Sequence, residues 1–179
     1  MTVSKGFALF VSLISVFAAP AHSEVRGSIY DLPAKFKIEG GDQVSLSKWK
    51  GTPLVMTMTY TSCEYACPRI IEKLKNVQKH YDQKKKKGQF IVVTFDPSRD
   101  TPEKLKTYHN TTGELAKNWI FLSGSEVDTR TLSMVLGIRF ERNPENGNIS
   151  HDNKILIINE KGEITQELNG LNADVSDLK

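Results

Sequence analysis

Pro53-Leu54-Val55-Met56-Thr57-Met58-Thr59-Tyr60-Thr61-Ser62-Cys63-Glu64-Tyr65-Ala66-Cys67-Pro68 is the stretch that decides the fold. From Leu54 to Tyr60 it is a nearly unbroken apolar and β-branched run, the pattern of a buried strand. A short polar turn follows, and a helical pattern begins around Cys67. Both cysteines of the chain therefore stand where a buried strand hands over to a helix. At such a corner of an open α/β sheet the first N–H groups of the helix lack partners, and its dipole favours negative charge. A thiolate is a charge of that kind.

Outward from this corner the chain alternates strand and helix. Upstream, Val25 to Leu32 reads as extended and irregular. Lys35-Phe36-Lys37-Ile38 and Gln43-Val44-Ser45-Leu46 then alternate in polarity around Glu39-Gly40-Gly41-Asp42, which predicts a small hairpin. Trp49 reads as a core aromatic. Downstream, Ile70, Ile71, Leu74, Val77 and Tyr81 predict an amphipathic helix, with Pro68 in its first turn and Lys73, Lys75, Lys79 and Lys84 facing water. Gln89 to Phe95 is a second buried strand. Asp100 or Thr101 caps the next helix, with Pro102 and Glu103 in its first turn. Trp119 to Leu122 is a third strand, and Glu126 to Leu136 a third helix stopped by Gly137. Residues 139–150 read as a long polar loop. Lys154 to Asn159 and Ile164 to Leu168 form a closing hairpin, and the tail from Asn172 is at best a short helix. This order predicts an α/β fold of three layers, a mixed central sheet with helices on both faces and an N-terminal hairpin.

A chain of 179 residues suffices for one domain with a real core and falls short of two ordinary ones. The net charge is +3, much of it in Lys84-Lys85-Lys86-Lys87, without aromatic interleaving, which speaks against nucleic acid as a partner. Residues 1–23 read as a signal peptide. Lys5 is its positive region, Phe7 to Ala18 its apolar stretch, and small residues permit cleavage after Ala21 or Ser23. The apolar stretch is shorter than the ~20 residues of a bilayer span; an uncleaved anchor is the alternative. The expectation is a signal peptide followed by a single domain over residues 24–179, located in the periplasm with no later membrane segment.

In an oxidising compartment two cysteines suggest a disulfide or a metal site. A disulfide that stabilises a fold gains most by closing a long loop, and Cys63 with Cys67 closes a very short one. The pair therefore reads as chemistry. At C-x-x-x-C spacing around a helix start, two sulfurs can meet each other or one ion. Two thiolates suit copper(I), or zinc if further ligands join. Whether a third donor joins them is open, and four histidines are available. His22 lies at the cleavage point, and His80 and His109 read as structural. His151, just before the last hairpin and beside Asp152, reaches the cysteines if its strand neighbours theirs and is otherwise a merely exposed loop histidine. A second reading is thiol–disulfide exchange, with Cys63 as attacking thiolate and Cys67 resolving the mixed disulfide. A third is a metal-free domain that docks a partner with an inert disulfide.

Four places also carry a resemblance. The strand with C-x-x-x-C-P at Thr59 to Pro68, the loop Asp96-Pro97-Ser98-Arg99-Asp100-Thr101-Pro102, and Trp119 to Gly124 with Leu136-Gly137-Ile138 are three of them. The fourth is His151 followed by Leu156-Ile157-Ile158-Asn159-Glu160-Lys161-Gly162. Together, from about Lys35 to Leu168, the sequence resembles the Sco/SenC family of copper-binding, thioredoxin-fold assembly factors for cytochrome c oxidase. The resemblance implies a thioredoxin-like fold and Cys63, Cys67 and His151 as metal ligands. It implies one copper ion per chain, as Cu(I) or Cu(II), delivered to the binuclear copper site of cytochrome c oxidase subunit II or to another extracytoplasmic copper protein. It also implies a thiol reductant as partner, since oxidised cysteines cannot hold copper. Asp96 and Asp100 are then structural or partner-facing groups rather than ligands.

Overall fold

The computed structural model describes residues 27–178; the leader assigned to residues 1–23, with His22, lies outside them. After a 3-10 turn at Ile29–Asp31 come strands β1 (Phe36–Ile38) and β2 (Gln43–Val44), the expected hairpin. β3 (Leu54–Thr59) leads to helix α1 (Ala66–Gln83), β4 (Gln89–Thr94) to α2 (Pro102–Thr111), and β5 (Trp119–Gly124) to α3 (Glu126–Val135). Then follow β6 (Phe140–Arg142), β7 (Ile149–His151), β8 (Lys154–Ile158) and β9 (Ile164–Asn169).

Seven strands form one mixed sheet in the order β2-β1-β5-β4-β3-β8-β9. The central β5, β4 and β3 are parallel, joined by helical crossovers; β1 and β8 flank them antiparallel. The period of two along β3 feeds both faces. Val55 points to one face, where α1 lays down Ile70, Leu74 and Val77 and α2 adds Leu105. Leu54, Met56 and Met58 point to the other, where Leu132 and Leu136 from the α3 end pack with Ile29, Leu46 and Trp49. The three-layer α/β arrangement is the one the strand–helix alternation predicts.

Gly137, at φ +62, ends α3. Its N–H donates to the Met134 carbonyl and that of Ile138 to Ser133, 3.1 and 2.9 Å, the two bonds that close a helix C-terminus around a left-handed glycine. The chain thereby turns sharply into β6.

Two expectations are corrected. Residues 139–150 are not a loop: β6 and β7 pair antiparallel as a separate two-stranded sheet, with Phe140 opposite His151. Strands of three residues each are too short to show a period above the polar turn between them. Lys73 does not face water but is buried, its Nζ donating to the Gly170 carbonyl at 3.0 Å. Its aliphatic stem joins the apolar face of α1 while its amine reaches the backbone beyond β9.

Candidate metal centre

β8 runs antiparallel to β3, with Thr57 opposite Ile155. The start of β8 therefore lies beside the end of β3. The residue reaching β8 from β7, His151, arrives at the corner where β3 gives way to the cysteine turn. This topology, not proximity in sequence, brings the three side chains together: one donor atom from each of Cys63, Cys67 and His151 lies within 4.8 Å of the others.

The helix start is arranged around a sulfur. α2 and α3 begin at Thr101 and Ser125, whose hydroxyls accept from the backbone N–H of Lys104 and Asp128. α1 begins at Tyr65, which offers no side-chain cap. Instead the N–H of Cys67 donates to Sγ of Cys63 at 3.3 Å. Burial acts to raise the Cys63 pKa. The N–H and thiol of Cys67 and the N–H groups of Tyr65 and Ala66 outweigh it, so the Cys63 thiol sits below its ordinary range. Cys67 lies beneath, fully buried, and burial pushes its thiol strongly upward, although the Tyr60 N–H points at its Sγ from 3.5 Å.

His151 completes the group. Its Nδ1 meets the Asp152 carbonyl at 3.1 Å, and a carbonyl only accepts, so Nδ1 carries the proton. The lone pair of Nε2 is left facing Sγ of Cys67 at 3.8 Å. Burial holds the imidazole below its ordinary pKa, favouring the neutral form that can act as a ligand. The ring is seated between Phe95, centroids 4.7 Å apart, and Tyr60, edge-on at 5.9 Å. Two sulfurs and one imidazole nitrogen with a free lone pair form a donor set that fits copper in either oxidation state. The residues here that composition and spacing did not single out are Tyr60, Phe95 and Arg142. Their places at the ends of the two buried runs marked the first two as core, and nothing local marked the third.

The Asp96–Asp100 loop at the end of β4 braces the site from behind. Asp100 is fully buried and does not cap α2; Thr101 does. The Asp100 carboxylate accepts from the Thr61 N–H at 3.0 Å and from the hydroxyls of Thr61 and Thr94 at 2.5 Å each. It therefore fixes the turn that carries Cys63. Asp96 is also fully buried and accepts from Ser98 at 3.0 Å, from Arg142 at 2.6 Å and from Arg99. Burial alone would raise its pKa, but the two guanidiniums and the Ser98 hydroxyl hold it below the usual carboxylate range. Neither carboxylate belongs to the Cys63–Cys67–His151 group.

The other described histidines lie elsewhere. His80 is near the end of α1, and its Nε2 is buried without a hydrogen-bond partner. His109, on α2, has Nδ1 on a Glu39 carboxylate oxygen at 2.7 Å and Nε2 donating to the Ala116 carbonyl at 2.5 Å, a structural tie.

The SCO1/SenC family model matches residues 30–177. The SCO1 protein homolog of Bacillus subtilis is 26% identical over 178 residues, covering 96% of this chain and 90% of that one. The solved SCO1/SenC family lipoprotein of Bacillus anthracis has a TM-score of 0.75 at 27% identity, over 84% of this chain and 91% of its own. Bradyrhizobium japonicum ScoI, solved with copper bound, shares the thioredoxin-like fold at a TM-score of 0.68 and 21% identity, over 82% of this chain and 92% of its own. With a matching family model that spans most of the sequence and a Cys-Cys-His group at the strand-to-helix corner, this chain belongs to the SCO1/SenC family.

Proposed function

We propose that this protein is an exported copper carrier. It holds one copper ion on Cys63, Cys67 and His151 and passes it to an extracytoplasmic acceptor, the binuclear copper site of cytochrome c oxidase subunit II. The observation that supports this most is the free Nε2 lone pair of His151 facing Cys67 Sγ at 3.8 Å, since a dithiol built only for disulfide exchange has no use for it. Copper is cargo here, not a resident cofactor. Cys63 is half-buried and Cys67 fully buried, so the acceptor's ligands reach the ion from the Cys63 side and displace the protein's donors by exchange. A thiol reductant keeps both sulfurs available.

A second reading rests on the opposite pKa shifts of the two thiols. Cys63 thiolate attacks a partner disulfide, giving a mixed disulfide and one partner thiolate. Cys67 then loses its proton and attacks Cys63 Sγ, releasing the second partner thiol and leaving Cys63 and Cys67 joined. Two electrons pass from this dithiol to the partner.

Copper titration of the reduced protein separates the readings, with absorbance followed for thiolate-to-Cu(II) charge transfer. The carrier reading expects saturation at one ion per chain and loss of Cu(II) affinity in His151→Ala with dithiol reactivity intact. Absence of binding by the reduced wild type, alongside a rapid reductase rate that His151→Ala leaves unchanged, would leave only the second reading.

A further inference from the structure

The β6–β7 hairpin makes no ladder with the seven-stranded sheet, so its seat depends on side chains. Ile149 on its inner face is buried, with Phe140, Arg142 and His151 half-buried, while Glu141 and Ser150 point to water. Arg142 stands opposite Ile149, two residues along each strand from the Phe140–His151 pair. A slip of one residue would turn His151 outward together with the rest of that face.

Apolar contacts press this face down: the Phe140 and His151 rings lie 5.0 and 4.7 Å from Phe95. Such contacts are non-directional and do not fix register. The Tyr60 hydroxyl donates to the Ile149 carbonyl at 3.4 Å, a long neutral bond; the stronger directional restraint, charged on both sides, is Arg142. Its Nη2 donates to Oδ1 of buried Asp96 at 2.6 Å, and its Nη1 reaches the carbonyl of Gly147 in the hairpin's own turn at 3.3 Å. Arg99 closes the same knot, from Asp96 to the Gly147 carbonyl at 2.8 Å. One planar guanidinium thus ties the end of β4 to the turn between β6 and β7, a task for which its fork is suited and an ammonium is not.

We propose that Arg142 is a positioning residue for His151: by holding the hairpin in register on Asp96, it sets whether the imidazole stands against the two sulfurs. The proposal rests on the copper-carrier reading. Two thiolates suffice for Cu(I), whereas Cu(II) draws on the imidazole. Loosening the hairpin therefore weakens Cu(II) binding and spares Cu(I).

The test titrates reduced wild type, Arg142→Met, Arg142→Lys and Glu141→Ala with Cu(II) and, separately, with Cu(I) against a competing chelator. Arg142→Met is expected to weaken Cu(II) binding about 10- to 100-fold, as losses behind a ligand do, and to shift the charge-transfer band, with Cu(I) affinity unchanged. Arg142→Lys falls between, and the outward Glu141→Ala behaves as wild type. In the metal-free protein, amide exchange at Ser150 and His151 accelerates in Arg142→Met and not in Glu141→Ala. If Arg142→Met loses native circular dichroism, Arg142→Lys carries the comparison. Wild-type Cu(II) affinity and spectrum in a folded variant overturns the proposal, and so does an equal loss of both ions. A wild type that binds neither ion sinks the carrier reading instead, and the exchange data still decide how the hairpin is seated.

Discussion

Cys63 and Cys67 are chemically identical side chains that the fold treats in opposite ways. One lies in the mouth of a helix start and collects N–H groups; the other is sealed beneath it and loses solvation. Since a pKa unit is a tenfold change in thiolate fraction, brief alkylation of the metal-free protein at pH 7 should label Cys63 at least ~10-fold faster than Cys67. Peptide mass spectrometry reads the ratio, and equal labelling would contradict the assignment. The paired carboxylates behind the site are a second residue-scale case. Asp100→Ala strips acceptors from the Thr61 N–H and two hydroxyls in a buried setting. It should cost roughly 2–4 kcal/mol in urea unfolding, the scale of several unsatisfied groups at ~1–3 kcal/mol each. An Asp100 that merely capped a helix would cost only ~1 kcal/mol. The donor residues were legible because sulfur and imidazole are scarce in this chain and their chemistry is specific. The role of Asp100 was not, because a carboxylate one residue before Thr101-Pro102 looks like a cap until tertiary contacts are known.

At the scale of elements, helix α1 opens without a hydroxyl or carboxylate cap, and a sulfur occupies that place. A hydroxyl at position 63 can accept from the Cys67 N–H as the sulfur does and a methyl group cannot, a difference of one hydrogen bond, about 1 kcal/mol. Cys63→Ser should therefore unfold in denaturant close to wild type, and Cys63→Ala should lose roughly 1 kcal/mol, both measured without metal. A Cys63→Ser variant as unstable as Cys63→Ala would show that the sulfur does not serve as the cap. The long elements were legible because their periods run for several turns or strand residues: Ile70 to Tyr81 for α1, Leu54 to Thr59 for β3. β6 and β7 escaped notice because three residues hold one and a half periods, and Arg142 finds its carboxylate 46 positions away. Lys73 escaped because a periodic pattern counts a lysine as polar, while most of its length is hydrocarbon.

For the whole molecule, two ties, one just beyond β4 and one between α2 and the β1–β2 turn, give stability opposite dependences on pH. Asp96 has its pKa depressed in the fold, so its contribution is present above the unfolded value of 3.8 and fades as pH falls through the folded one. His109 is the reverse case. The Glu39 carboxylate raises its pKa against the effect of burial, helped by the Ala116 carbonyl, in a setting where Phe121 covers the ring at 4.7 Å. The imidazolium it favours can donate from both nitrogens at once, which neutral imidazole cannot. Its contribution is therefore complete below the unfolded value of 6.5 and is lost as pH rises through the folded one. Burial of His151 acts in the other sense near the same pH, so the test has to be a difference between variant and wild type. His109→Gln should lower the urea midpoint more at pH 5.5 than at pH 8.5, and Glu39→Gln should reproduce that pattern because it removes the partner that raises the pKa. A midpoint difference that is the same at both pH values would mean that the contact joining α2 to the β1–β2 turn is held by neutral hydrogen bonding, with no charge on the ring.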